Sequence, residues 1–186
     1  MFRKIGYYLV EEGGSPKEQM PIITATDCIC NLHPKQELLE CSKELQELRL
    51  KNRLTTDRRF QTPEEARKLY NTYLKNNKKI HLISISIKER YLPILKEEME
   101  EEFTLVNDHE IGSLIGYDLL GWDIVGFHSY LCNGLEEAIN RTYHIQYNKS
   151  GLIENKYEEV KEFAKLIQGQ GEPVEWFPFK VEQYQL

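Results

Sequence analysis

The sequence predicts an α+β fold: one mixed or antiparallel sheet with four or five helices packed against it. Three observations lead there. Strand-like and helix-like segments interleave without the regular beat of a doubly wound fold, and no Gly-rich phosphate loop joins them. The octapeptide IHLISISI, residues 80–87, is nearly all apolar or small, as a central strand covered on both faces requires. No stretch rich in Pro, Gly or Ser divides the 186 residues, so residues 1–186 are read as a single domain.

The elements follow in chain order. FRKIGYYLV, residues 2–10, carries the aromatic and β-branched types of a strand, and Gly13-Gly14-Ser15-Pro16 ends it as a turn. PIITAT, residues 21–26, is a second short strand. From Pro34 to about Lys51 the period becomes helical, with Leu38, Cys41, Leu45 and Leu48 three and four apart. Thr62-Pro63-Glu64-Glu65 starts the next helix with a capping threonine, a proline at the first position and a glutamate three residues after the cap. Leu69, Tyr70 and Tyr73 form its inner face, and Asn76-Asn77 ends it. A short helix led by Pro93 follows the central strand.

Leu131, Leu135, Ala138 and Ile139 predict a helix running to about Arg141. Asn155 and Glu158 form a second capping pattern ahead of the stripe Tyr157, Val160, Ala164 and Ile167, which stops at Gly169. EPVEWFPFKVEQY alternates Val174, Trp176 and Pro178 against Glu175, Phe177 and Phe179. It reads as an edge strand, with Pro178 marking the edge.

Composition narrows the function. At 40% hydrophobic and 29% charged, the chain suits a packed globule rather than a disordered one. A net charge of -6 argues against a nucleic-acid binder, which needs clustered Lys and Arg. The one basic cluster, Arg49, Lys51, Arg53, Arg58 and Arg59, is offset by Glu37, Glu40, Glu44 and Glu47. No apolar run approaches the ~20 residues of a membrane span. MFRKIGYYLVEEGG has an apolar patch too short and too aromatic for a secretory signal, so a cytoplasmic location is expected. The four cysteines are accordingly read as reduced thiols.

The candidates for chemistry lie mostly within residues 116–137, GYDLLGWDIVGFHSYLCNGLEE. An aromatic-Asp-aliphatic-aliphatic-Gly unit occurs there twice, Tyr117 to Gly121 and Trp122 to Gly126. On a regular strand a five-residue repeat points Asp118 and Asp123 to opposite faces. A bulge or a tight turn at Gly121 would bring Asp118, Asp123 and His128 together, as a metal site or an acid-base set. The competing reading is structural. Leu119, Leu120, Ile124 and Val125 are then core, Tyr117 and Trp122 pack over the sheet, and the Asp side chains bond backbone groups near the glycines. The structural reading is preferred, because no ligand motif supports the other.

Two further patterns are weighed the same way. Cys132 in the first turn of a helix starting at Ser129, with His128 beside it, would suit an activated thiolate, but no known nucleophile motif covers it. A small buried residue behind an ordinary Ser129 cap explains the pattern equally well. Cys28, Cys30, His33 and Cys41 are four soft ligands within 14 residues, enough for a structural zinc in principle. The C-x-C spacing is tighter than the usual zinc form, and buried free thiols are preferred. Asp108-His109-Glu110 reads as a solvated turn.

The leading expectation is a protein of regulatory or toxin-neutralising type that binds another macromolecule without catalysis and needs no cofactor. Tyr117, Asp118, Trp122, Asp123, Phe127 and His128 would form its binding face, so Trp122→Ala should lose the partner and stay folded. The alternative is a hydrolase or transferase using His128 with Asp118, Asp123 or Cys132. Homo-oligomer formation through a 176–184 edge strand is a third expectation.

Overall fold

The computed structural model describes residues 1–11, 59–100, 103–123 and 126–186, together with Lys43, Gln46 and Glu47. The predicted strand at 21–26 and Cys28, Cys30, His33 and Cys41 lie outside these residues, as does the helix predicted from Pro34 except for Lys43, Gln46 and Glu47, which are helical. Among the described residues five strands form one antiparallel sheet: β1 (Phe2–Glu11), β2 (Ile80–Lys88), β3 (Ser113–Trp122), β4 (Phe127–Ser129) and β5 (Phe177–Tyr184). Their spatial order is β1-β2-β5-β3-β4. Four α-helices accompany them among the described residues: α1 (Pro63–Leu69), α2 (Leu92–Met99), α3 (Glu136–Asn140) and α4 (Tyr157–Ile167). The α+β class read from the sequence therefore holds, with the sheet antiparallel throughout. No helix among the described residues is long and apolar enough to cross a membrane.

Alternation along the strands divides the core between the two faces of the sheet. On one face Ile83, Ile85 and Ile87 of β2 meet Phe177, Phe179 and Val181 of β5, and Leu95 and Met99 of α2 cover them. On the other, Leu82 and Tyr184 pack with Tyr7 and Leu9 beneath Ala66 and Leu69 of α1. Further along that second face, Leu119 lies under Val160, Phe163, Ala164 and Ile167 of α4. A stretch of sheet between α1 and α4 is left with neither helix above it.

Local chemistry sets the element boundaries. The Thr62 side chain accepts from the Glu65 amide at 3.4 Å, and Pro63 occupies the start of α1, as the sequence requires. The helix continues beyond Leu69 as one π-helical turn, Tyr70–Leu74. The cap of α4 is displaced by one residue from the reading made above: Glu159 reaches back to the Lys156 amide at 3.2 Å. Asn155 instead turns inward, accepting from the Gln146 amide at 2.7 Å and donating to the His144 carbonyl at 3.2 Å. The helix expected around Leu131 begins only at Glu136, because hydrogen-bonded turns occupy the residues after Ser129.

The largest correction concerns β5. It is the central strand, paired with β2 on one side and β3 on the other, so it is not a free edge for a second copy. Pro178 is tolerated because the ladder to β2 ends at Ser86 and Lys180, which leaves the proline beside β3 alone. The aromatic residues need no outside cover. Phe177 and Phe179 enter one core cluster and Trp176 another, where its indole N–H donates to the Gln170 carbonyl at 3.1 Å. The outer edge of β1 is capped by Phe60, bonded both ways to Tyr7, and by the Val106 amide on the Lys4 carbonyl.

Candidate functional site

The stretch of sheet between α1 and α4 is where the sequence breaks its own apolar pattern. In β2, Ser84 and Ser86 share a face, and both are buried. Register lines them up across the strands. Lys4 of β1, Ser86 of β2, Lys180 of β5 and Tyr117 of β3 form one cross-strand row. Tyr7, Ser84, Glu182 and Leu114 form the next. Lys4 joins Tyr7 on this face only because of a bulge at Ile5 between the Lys4 and Gly6 pairings; residues three apart on a regular strand face opposite ways. The result is a charged floor where an ordinary sheet would carry Val or Ile.

Residues 103–112, which contain no helix or strand, cross this face from the outer edge of β1 to the start of β3. Two buttresses hold this strap down. The Lys4 ammonium donates to Asp108 Oδ1 at 2.9 Å, to the Tyr7 hydroxyl at 2.6 Å and to the Glu110 carbonyl at 3.0 Å, while Tyr7 donates to Asp108 Oδ2 at 2.6 Å. Arg67 of α1 grips Glu110 with two nitrogens and gives its Nε–H to the Gln185 carbonyl at 2.9 Å. Burial and the bond to Asp108 push the Tyr7 phenol far above its usual range. Burial opposes ionisation of Asp108, but the hydrogen bonds from Tyr7 and Lys4 outweigh it and hold the carboxyl below its ordinary value.

Beside the strap the floor opens into a groove of about 640 Å³, with Phe2 and Lys4 at one end, Ser86, Lys180 and Glu182 beneath, and Asp108 to Ile111 as a wall. Lys180 and Glu182, on the same face of β5, pair at 2.9 Å. Large apolar side chains stand beside it in solvent: Ile111 is 89% exposed, and Leu114, opposite Glu182, is 54% exposed. Asp108-His109-Glu110 is thus no simple solvated turn. Its two carboxylates are anchors, and the exposed His109 lines the groove.

The tandem unit of β3 is resolved by alternation. Asp118 is buried, accepting from the Leu119 amide at 2.8 Å and the Ser129 hydroxyl at 2.9 Å. Asp123 stands just before the chain reverses, at the start of the hairpin that joins β3 to β4. There its Oδ1 accepts from the Gly126 amide at 3.0 Å. The reversal is made between Asp123 and Gly126 rather than at Gly121. Gly121 serves close packing: a Cβ there would fall 2.2 Å from Val174 Cγ2.

Asp123 Oδ2 is 2.8 Å from His128 Nε2, and Glu172 Oε2 is 3.1 Å from Nδ1, near enough for an ion pair though not aligned as a hydrogen bond. Asp118 does not join them. Trp122 and Phe127 are buried edge to face, 5.0 Å between ring centres, while Tyr117, Asp123 and His128 keep partial access to solvent. Ile124 and Val125 lie outside the described residues. Cys132 is exposed, in the turns between β4 and α3, rather than buried or in a first helical turn. Among the described residues no group of three His, Cys, Asp or Glu is arranged to hold a metal ion.

No family model, curated protein or solved structure matches this chain. The site's chemistry therefore rests on its own geometry. Lys4 and Asp108, Arg67 and Glu110, and Lys180 and Glu182 are paired across the floor and strap. The groove went unread in the sequence. The two serines at alternate positions of an otherwise apolar strand, with Lys180 and Glu182 at the matching spacing in β5, were the signal that marks it.

Proposed function

We propose that the protein acts by binding an extended segment of another protein in this groove, without catalysis, as a regulatory or toxin-neutralising partner would. The observation that carries the reading is an open groove with a charged floor beside two solvent-exposed aliphatic side chains, Ile111 and Leu114. Exposed apolar groups next to paired charges are the makings of a contact surface with a polar rim. Of the face expected from the sequence, Tyr117 stands in the row beside Lys180 but packs against the cluster beneath α4, outside the groove lining. Trp122 and Phe127 support the sheet from the opposite face.

The test is paired capture. Partner recovered from lysate by the native protein is identified, then titrated against an Ile111→Asp, Leu114→Asp double variant whose circular dichroism is unchanged. Losing both aliphatic contacts should weaken binding by about 10- to 100-fold. Equal affinity for the two proteins would remove the groove from the binding face.

A second reading, a hydrolase or transferase using His128, is favoured by the 2.8 Å contact to Asp123. Asp118 touches Ser129 instead, so this reading keeps His128, Asp123 and Cys132. It requires native Cys132 to react with iodoacetamide well below pH 8 and His128→Asn to slow that reaction. Alkylation at the rate of an ordinary free thiol in both proteins would end it.

A further inference from the structure

The Phe2 end of the groove carries a charge pattern unlike the rest of this acidic chain. Lys88 of β2 sits over the Phe2 ring at 4.2 Å from its centre and over the Tyr157 ring at 5.1 Å. Lys180 approaches the same Phe2 ring at 5.3 Å, and Arg90 lies over Tyr91 at 4.8 Å. Phe2 and Lys180 also line the groove, so the cationic cluster and the groove are continuous. Two acidic neighbours are engaged elsewhere, Glu89 with Arg3 at 3.4 Å and Glu158 with Lys161, while Lys180 shares its charge with Glu182 at 2.9 Å. Among the described residues, neither Lys88 nor Arg90 has a carboxylate within ion-pair distance. Both stand over aromatic faces, Arg90 also meets the hydroxyl groups of Tyr91 and Tyr157, and the charge of the pair reaches Glu158 from beyond ion-pair distance.

A cation held over a ring keeps most of its charge available to an incoming anion, and the ring fixes its position. Burial raises the Tyr157 phenol above its usual range, so that ring remains neutral next to the cations. From this arrangement we infer that the segment bound in the groove is acidic: its Asp or Glu side chains meet Lys88, Arg90 and Lys180 while its apolar residues meet Ile111 and Leu114. The inference rests on the groove reading and adds the chemistry of the partner.

A polyanion fits less well. Three cations release too few counterions to hold a nucleic-acid backbone against a net charge of -6. Phe2 and Tyr157 are also packed edge to face at 5.1 Å with Lys88 over both, which leaves no free platform for a stacked base.

The probes are three fluorescein-labelled decapeptides, alternating Glu-Val, Ser-Val and Lys-Val, together with a labelled ten-residue oligothymidylate, titrated by fluorescence anisotropy. The Glu-Val peptide should bind at least about tenfold tighter than the Ser-Val peptide and lose that margin between 50 and 500 mM salt. The Lys88→Gln, Arg90→Gln, Lys180→Gln variant, with its folding checked by circular dichroism, should lose it as well. Equal binding of the Glu-Val and Ser-Val peptides, abolished by Ile111→Asp with Leu114→Asp, would overturn the acidic-segment inference and leave the groove reading standing. Binding of none of the peptides would overturn both. Oligothymidylate bound more tightly than the Glu-Val peptide would replace the inference with a nucleic-acid site. A margin that survives in the triple variant would remove these cations from it.

Discussion

Glu98, on α2, offers a quantitative test of the electrostatics of this sheet. Burial raises its carboxyl from an ordinary 4.5 to about 7, and the charge of Glu175, just ahead of β5, adds to the effect while the Glu175 backbone partly offsets it. One carboxylate oxygen of Glu98 is buried with no hydrogen-bond partner. Below pH 4.5 this group is neutral in both the folded and the unfolded chain and costs nothing. Between pH 4.5 and 7 the folded chain holds the proton that the unfolded chain has released, so stability falls as pH rises; above 7 the loss is complete. Moving a carboxyl from 4.5 to about 7 corresponds to about 3 kcal/mol in full, and solvent screening of this half-buried group reduces it to roughly 1–2 kcal/mol at pH 8. Glu98→Gln keeps the shape and removes the charge. It should be as stable as the native protein at pH 4 and more stable by roughly 1–2 kcal/mol at pH 8. Urea unfolding of both proteins at pH 4, 6 and 8 measures the difference, in which the contributions of all other carboxylates cancel. A difference that does not grow with pH would refute the reasoning.

Three other substitutions probe the framework. Asp108→Asn removes the acceptor of the Lys4 and Tyr7 bonds; it should cost about 1–3 kcal/mol at pH 7 and speed amide exchange along residues 104–111. Because that carboxyl is held below its ordinary value, its stabilisation is present above about pH 4 and is lost on acidification, so the native-minus-variant difference should shrink below pH 4. Trp122→Ala empties a site against Phe127 in the core and should destabilise by about 3–5 kcal/mol, seen as an earlier urea midpoint; unchanged stability would return Trp122 to a binding role. Gly121→Ala should cost about 1–3 kcal/mol through its clash with Val174, and Val174→Ala in the same chain should recover part of that loss in a double-mutant cycle.

Much of the local structure was legible because it depends on neighbours in sequence. Thr62 and Pro63 start α1 by satisfying amides a turn away, and the run of apolar residues at 80–87 announced an interior strand. Asp118 and Asp123 hold different partners, Ser129 for the one inside β3 and Gly126 for the one just past its end. Pro178 misled because a missing N–H matters only where a neighbouring strand would receive it, and which strands flank β5 is set by pairings more than fifty residues apart. Asn155 misled because its amide found loop partners at Gln146 and His144, a choice invisible in local spacing.

Composition and periodicity by themselves determined an α+β chain with apolar strands and capped helices, since each of those follows from side chains a few residues apart. The tertiary structure alone decided that Lys4, Ser86, Lys180 and Tyr117 stand in one row under a strap. That row needs a bulge at Ile5, a central position for β5 and the crossing of residues 103–112 at once. Each is fixed by long-range pairing, where a one-residue slip would turn every side chain to the opposite face.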